Sequence, residues 1–393
     1  MTLKSYIKKT LKWEEPLGLT TMIAVISGAW NTMAPPQSIQ RFIYWQSWFQ
    51  TSTYVLFMMS AGINIFVSTD FFGECLESLH FLVTAFHVFI KYMTMRFRER
   101  DFLELFDDIK RVWSGYRIHN EKFLSSTLAS VNRTTVIISV CIINVMFVNI
   151  GAAVLKNILE PDKIHFPIQI WIPSFCRDSF MYGTIAQVVL FSWPLFIVAQ
   201  STTFLNSISV HVEALGLSLA KDIGRQKVWK GDSARRFYKK HQEVISIVSR
   251  VNALMAGNWG FEMLCSSLQL TLPAYRTLRA LKRNEIEVFN HAVILSLNFM
   301  VIYIIFGSGN RILSMGEEIN DRLYESDWYK LPVKEKKNVL FMLFRATKPV
   351  EYRYKMIHFD LPGFMKVVNT VFSYMALLRF LDGGNDGGNG GLL

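Results

Sequence analysis

Apolar residues in this chain gather into seven long stretches, at residues 44–67, 72–93, 134–155, 180–210, 251–274, 288–306 and 361–381, with polar and charged segments between them. About 20 residues of helix cross a ~30 Å hydrocarbon layer, and each stretch is near that length or above it. The pattern predicts an all-α membrane protein with seven transmembrane helices. Residues 179–212 carry no Lys, Arg, Asp or Glu. At helical rise they reach roughly 50 Å, more than a bilayer core, so the end of the fourth helix is predicted to project into water as a packed extension. A shorter apolar run, 339–344, follows Pro332 and stops near Pro349. Too short to span, it predicts an amphipathic cytoplasmic helix ahead of the last span.

Two of the spans carry polar lines. In the last, opened by Asp360 and Pro362, residues suited to a first turn, Lys366, Asn369, Thr370 and Ser373 share one narrow face. The same face continues through Leu377, Phe380 and Leu381. A hydrophilic lane closed by apolar side chains is what a water-filled pore with a dewetting gate needs; the stripe by itself is also that of a helix whose hydroxyls bond to its neighbours in a bundle. In the second span, Glu77, His80, Thr84, His87 and Lys91 recur every three or four residues on one face. Ionisable groups in a span face protein or water rather than lipid. This line reads either as interhelical hydrogen bonding, with Lys91 snorkelling to the inner surface, or as the border of a cavity.

Charge sets the orientation, because Lys and Arg collect in cytoplasmic loops. One set of segments is basic: Lys4 to Lys12, then Arg96 to Lys122, then Lys221 to Lys240, then Arg311 to Lys355. The alternate set holds none between the first two spans, then Lys156, Lys163 and Arg177, then Arg276, Arg279, Lys282 and Arg283. The bias predicts a cytoplasmic N-terminus and an extracellular C-terminus. It accounts for the net charge of +11 without nucleic acid. Half the residues (51%) are hydrophobic, with 31 Phe, 10 Trp and 17 Met, too apolar for an ordinary soluble domain of this length. Lysines 4 to 12 ahead of GLTTMIAVISGAW resemble a signal peptide, but the charge pattern holds this end inside and argues against cleavage. The sequon at Asn132 then lies at the inner mouth of the third span and is expected to stay unmodified. Cys75, Cys141, Cys176 and Cys265 form no metal spacing; Cys75 and Cys176 could both face outside, which leaves one disulfide open. HExxH and GxSxG are absent and the eight histidines are scattered, so neither metal, cofactor nor enzyme chemistry is expected.

The C-terminal third adds a family resemblance. Tyr324, Trp328, Tyr329, the RATKP run from Arg345 to Pro349 and Ser373-Tyr374 resemble the C-terminal signature of insect odorant receptors. Weaker echoes run through the chain: the GAW ending at Trp30, the region of Lys91 and Phe102, and His241-Gln242. The resemblance implies an odorant-gated cation channel subunit in the plasma membrane of sensory dendrites, assembled as a tetramer with the odorant receptor co-receptor and opened by a small, volatile, apolar odorant. It implies a short membrane-associated element before the first span and a last helix split into a cytoplasmic anchor part and a pore-lining part. It also implies an odorant pocket between the second, third, fourth and sixth spans. Mapped here, that pocket takes in Thr84, Ala85, Val88, Val148, Gly151, Leu155, Tyr182, Ile185, Leu295 and Phe299. The pore and gate take in Lys366, Asn369, Thr370, Ser373, Leu377, Phe380 and Leu381. The single seven-helix domain then divides into an N-terminal segment (1–43), spans one to six (44–306), an anchor segment (307–360), a pore helix (361–381) and a flexible Gly-rich tail (382–393). The related gustatory receptors, which form channels alone, carry Thr-Tyr and a later Gln-Phe where this chain has Ser373-Tyr374 and Arg379-Phe380. The co-receptor's long insertion between spans four and five is missing. A G-protein-coupled receptor would have the opposite orientation.

Overall fold

Long apolar stretches bounded by charge become long helices. In the computed structural model, residues 15–27, 30, 37–162, 164–225, 231–283 and 287–386 are described; the Lys4 to Lys12 segment, Gly28-Ala29 of the GAW run and the last seven residues lie outside them. The helices are α1 (Gly18–Ile26), α2 (Gln37–Val67), α3 (Leu76–Phe97), α4 (Glu99–Leu159), the single turn α5 (Ser174–Arg177), α6 (Phe180–Arg225), α7 (Gly231–Lys282), α8 (Val288–Glu325), α9 (Val333–Ala346) and α10 (Leu361–Asp386). Strands β1 (Arg353–Tyr354) and β2 (Ile357–His358) form a minimal antiparallel hairpin between α9 and α10.

Six of the seven predicted stretches fall within one of these helices, and the second, 72–93, begins in the π-helical turn Phe71–Cys75 that leads directly into α3. Five helical segments among the described residues are long and apolar enough to cross a membrane: Phe71–Phe97, Asn120–Leu159, Phe180–Ile223, Val288–Lys330 and Leu361–Asp382. The other two stretches sit in α2 and α7. Helix α7 is more polar because it is an inner helix: Asn258, Glu262, Ser266, Gln269 and Thr271 are all buried on it. Helix α4 is its opposite, exposing Val136, Ile137, Val140, Ile143 and Phe147 in a continuous apolar face, the signature of a helix bathed in lipid. Helix α10 begins as its sequence predicts, with Asp360 Oδ1 accepting from the Gly363 amide at 2.7 Å. It runs to Asp386, so the first residues of the Gly-rich tail continue the helix.

The two ends of the bundle differ in packing. At one end α6 continues past residue 210 and buries Val212, Leu215, Leu219 and Ile223, the packed extension its uncharged length predicts. Around it, Val244, Ile247 and Val251 of α7, Ile312, Met315 and Ile319 of α8, and Val339 and Met342 of α9 close one continuous core. The β hairpin locks α10 to this end. Phe359 packs on Trp259 with ring centroids 4.3 Å apart and on Phe306 at 5.4 Å, and the Tyr352 hydroxyl meets Ser209 Oγ at 3.2 Å. The Phe359 carbonyl comes so close to α8 that any Cβ at Gly309 would overlap it. Helix α1 docks on α6 through Thr20 and Ser207 (2.8 Å), and Trp30 is fully buried edge-on against Phe106 and Phe204. The resemblance to a cleavable leader therefore covers a helix that packs within the fold. All four cysteines are free, so Cys75 and Cys176 are not joined.

Candidate functional site

The polar line on α3 is where the helices are tied together. Glu77 pairs with Arg276 at 2.5 Å, and His80 Nε2 lies 3.5 Å from the Asn298 amide nitrogen. Lys91 Nζ is 2.8 Å from Glu262 Oε2. The expectation that Lys91 snorkels is corrected: the residue is 8% exposed, because Glu262 offers an opposite charge at the same depth on α7. Both carboxylate oxygens of Glu262 are used, Oε2 by Lys91 and by His87 Nε2 at 3.1 Å, and Oε1 by Ser266 Oγ at 3.2 Å. The Gln269 amide nitrogen is 3.1 Å from His87 Nδ1. As that nitrogen donates, His87 Nδ1 accepts and its Nε2–H donates to Glu262. A charge pair so deep is tolerated only when every lone pair is satisfied in this way.

Immediately beside this network, α2, α3, α6 and α8 enclose a cavity of about 70 Å³. Its wall is largely apolar, with Tyr54 and Phe57 from α2, Phe81, Ala85 and Val88 from α3, Phe191, Leu195 and Val198 from α6, and Ile294, Leu297, Val301 and Ile302 from α8. His80, Thr84, His87, Lys91, Glu262, Gln269 and Asn298 give it one polar side. Pro194 of α6 also borders it. A proline inside a helix has no N–H to give to the ladder, so α6 lacks one backbone hydrogen bond at this wall of the cavity. The volume is below the ~300 Å³ of a typical small-molecule pocket, so a guest of more than a few atoms enters by displacing side chains.

Of the pocket residues mapped from sequence, Thr84, Ala85 and Val88 line this cavity and seven lie outside its wall. Tyr182 (59% exposed) and Ile185 (54%) sit near the start of α6 on its exposed side, and the α6 residues on the cavity begin further along the helix, at Phe191. Leu155 and Gly151 are exposed on α4, and a Cβ added at Gly151 meets open space; α4 reaches the cavity through Val145, with Val148 partly buried beyond it. On α8, Leu295 packs on the core and Phe299 is exposed, while Ile294 and Asn298, one residue away in each case, face the cavity.

Above the cavity, at the end where α3 begins, lies a wide charged cleft of about 680 Å³. It is lined by Glu77, Lys156, Glu160, His165, Arg276, Arg279, Arg283 and Glu287 among others. The 164–173 segment tucks in beside it. Ile168, Ile170 and Ile172 are buried, Gln187 clasps the Ile168 backbone through N–H (3.0 Å) and C=O (2.7 Å), and Ser78 Oγ donates to the Gln169 carbonyl at 2.7 Å. The far end of α10 joins this same end of the bundle, where Asp382 accepts from Tyr275 and lies 3.9 Å from Arg279.

Helix α10 is covered on one side only. Phe364, Val367 and Val371 are buried against α7 and α8. Lys366, Asn369, Ser373, Leu377, Phe380 and Leu381 are exposed and Thr370 is half-buried, so the stripe lies on the uncovered side. Thr370 and Ser373 hydroxyls bond the Lys366 and Asn369 carbonyls of their own helix, and no neighbouring helix takes them. Among the described residues, no group of three or more His, Cys, Asp or Glu could hold a metal ion.

A lipid-exposed helical bundle with a small interior cavity can be compared with known proteins. The structure superposes on the insect olfactory receptor OR5 from Machilis hrabei with a TM-score of 0.70 over 96% of this chain and 98% of that one, at 13% identity. Against the same receptor in complex with eugenol the TM-score is 0.72, at 14% identity, with the same coverage. In sequence the chain is 18% identical over 380 residues to odorant receptor 46a, isoform A, of Drosophila melanogaster, covering 92% of this chain and 95% of the relative. It is 23% identical over 189 residues to odorant receptor 10 of Aedes albopictus, 48% of each chain. The profile of the 7tm odorant receptor family matches residues 71–372, which cover α3 to α9, the hairpin and the first part of α10, and the chain belongs to that family.

Proposed function

We propose that this chain is the odorant-binding subunit of a ligand-gated cation channel in the plasma membrane. It spans the membrane seven times through α2, α3, α4, α6, α7, α8 and α10, with a cytoplasmic N-terminus and an extracellular C-terminus, and works in a tetramer with the odorant receptor co-receptor. The odorant sits in the cavity between α2, α3, α6 and α8. The observation that carries this reading is the pairing of that cavity with α10: α7, which holds Glu262 at the cavity, also packs along α10. A guest that spreads the cavity therefore pushes on the helix that supports α10, and it biases opening by its differential affinity for the two states. The uncovered stripe of α10 supports a pore-facing role, with Leu377, Phe380 and Leu381 as the apolar seal. Lys366 and Arg379 are both exposed on α10. Four identical copies would set rings of positive charge along a cation path, and mixing with another subunit dilutes them.

The test is current recorded from cells expressing the full chain with and without the co-receptor. Odorant-evoked cation current is expected from the pair and little or none from the chain alone. Robust current from the chain alone would replace this reading with a homomeric channel of the gustatory receptor type.

A further inference from the structure

Two polar atoms in the cavity wall have nothing to bond. His80 is 4% exposed and its Nδ1 is buried without a hydrogen-bond partner. One turn on, Thr84 Oγ1 is buried without one as well. Both residues line the cavity. For a helical threonine this is telling, because the hydroxyl ordinarily bonds the carbonyl four residues back; Thr94 on the same helix does so to Ile90 at 2.9 Å. Thr84 forgoes that bond. The tautomer of His80 follows from its other nitrogen. The Asn298 amide nitrogen is fixed by its 2.9 Å bond to the Ile294 carbonyl, so it can only donate toward His80 Nε2. Nε2 accepts, and Nδ1 carries the proton.

From this we infer that the cavity recognises a neutral guest through one acceptor oxygen, a hydroxyl or a carbonyl on an apolar body, which takes the His80 Nδ1–H and bonds the Thr84 hydroxyl. The inference rests on the proposed role of the cavity and specifies its ligand class. An aliphatic or aromatic hydrocarbon of the same shape would bury both groups unpaired and displace any water that served them, the arrangement that most strongly rejects an analogue lacking the polar atom. An anion is disfavoured for a different reason. Lys91 is already matched by Glu262 at 2.8 Å, so a carboxylate guest finds no free cation in this wall.

The experiment measures binding to the detergent-purified full chain by thermal stabilisation, which needs no channel opening. The probes are matched sets: octane, 1-octanol and 2-octanone; toluene, benzyl alcohol and benzaldehyde; limonene, carveol and carvone. The oxygen-bearing members are expected to bind at least about tenfold more tightly than their hydrocarbon. Thr84→Val, which keeps shape and loses the hydroxyl, should weaken only the oxygen-bearing members, by about fivefold or more, and His80→Phe should do the same. Thr84→Ser retains the hydroxyl and should retain the preference, which separates recognition from folding. The proposal is overturned if no oxygen-bearing member stabilises the chain beyond its hydrocarbon, or if Thr84→Val shifts all members equally. A Val88→Phe substitution fills the cavity and separates the two levels of the argument. If Val88→Phe abolishes binding while Thr84→Val does nothing, the cavity is the site and oxygen recognition is wrong. If probes bind the wild-type and Val88→Phe chains alike, the cavity is not the site and both readings fall.

Discussion

Replacing Lys91 by Met removes one member of the buried pair and leaves the Glu262 carboxylate, 1% exposed, with no opposing charge. It keeps the His87 and Ser266 hydrogen bonds at 3.1 and 3.2 Å, which shield the oxygens without neutralising them. Breaking a buried ion pair from one side costs about 3–5 kcal/mol; with both oxygens still bonded, about 3 kcal/mol is expected, a loss of roughly two orders of magnitude in the folding equilibrium constant. The partner change distinguishes charge from packing. Glu262→Gln added to Lys91→Met keeps an oxygen for His87 and removes the charge, so the double variant should recover most of the loss, with a coupling of about 1.5–3 kcal/mol. The assay is denaturation of the detergent-solubilised chain across the four-member cycle, with surface biotinylation in cells alongside. Additivity of the two substitutions within about 0.5 kcal/mol would refute the claim that this pair joins α3 to α7.

Gly309→Ala should lower surface expression and cost about 1–3 kcal/mol by pushing the Phe359 backbone off α8, whereas Gly307→Ala, where a Cβ meets open space, should be neutral; surface biotinylation of the two variants checks the pair. Leu377→Ser or Leu381→Ser, co-expressed with the co-receptor, should raise resting current and lower the odorant concentration needed, because a polar side chain lets water stay in the constriction; normal surface levels, normal responses and unchanged basal current would remove these leucines from the gate. Burial, helped by the Arg345 charge, lowers the pKa of His241 from 6.5 to about 4. The unfolded chain then binds the extra proton first, so stability is complete above about pH 6.5, falls as pH drops toward 4 and has lost on the order of 2 kcal/mol by pH 5. Thermal denaturation at pH 7.5 and 5 should show this loss, and His241→Gln should flatten it.

The helices were legible in the sequence and the faces of the outer ones were not. Every predicted span lies inside an observed helical segment because length and apolarity are set by the bilayer rather than by neighbours. On α3 the polar line gives the face of Thr84 directly, while Ala85 and Val88, mapped from the family resemblance, line the same cavity. Helix α8 is mostly apolar, so exposed Phe299 and cavity-facing Ile302 look alike; the usable signs are Asn290, His291 and Asn298, strongly polar residues on one face with no reason to meet lipid. On α6 no such residue precedes Gln187, and Tyr182 and Ile185 lie on the exposed start of the helix, away from this cavity. The Lys91 to Glu262 pair went unseen because two residues 171 positions apart share no local pattern, although a lone glutamate within an otherwise uncharged stretch of α7 signals a partner.

The account turns on where the guest sits, and photoaffinity labelling of the full chain with a diazirine analogue of its best agonist reads that position residue by residue. The account predicts labels on the cavity wall, at α3 around Thr84 to Val88, at α6 around Phe191 to Val198 and at α8 around Ile294 to Ile302, all displaced by excess agonist. Displaceable labels confined to the charged cleft around Arg276 and Arg283, or to Tyr182 and Ile185 on the exposed start of α6, would contradict it.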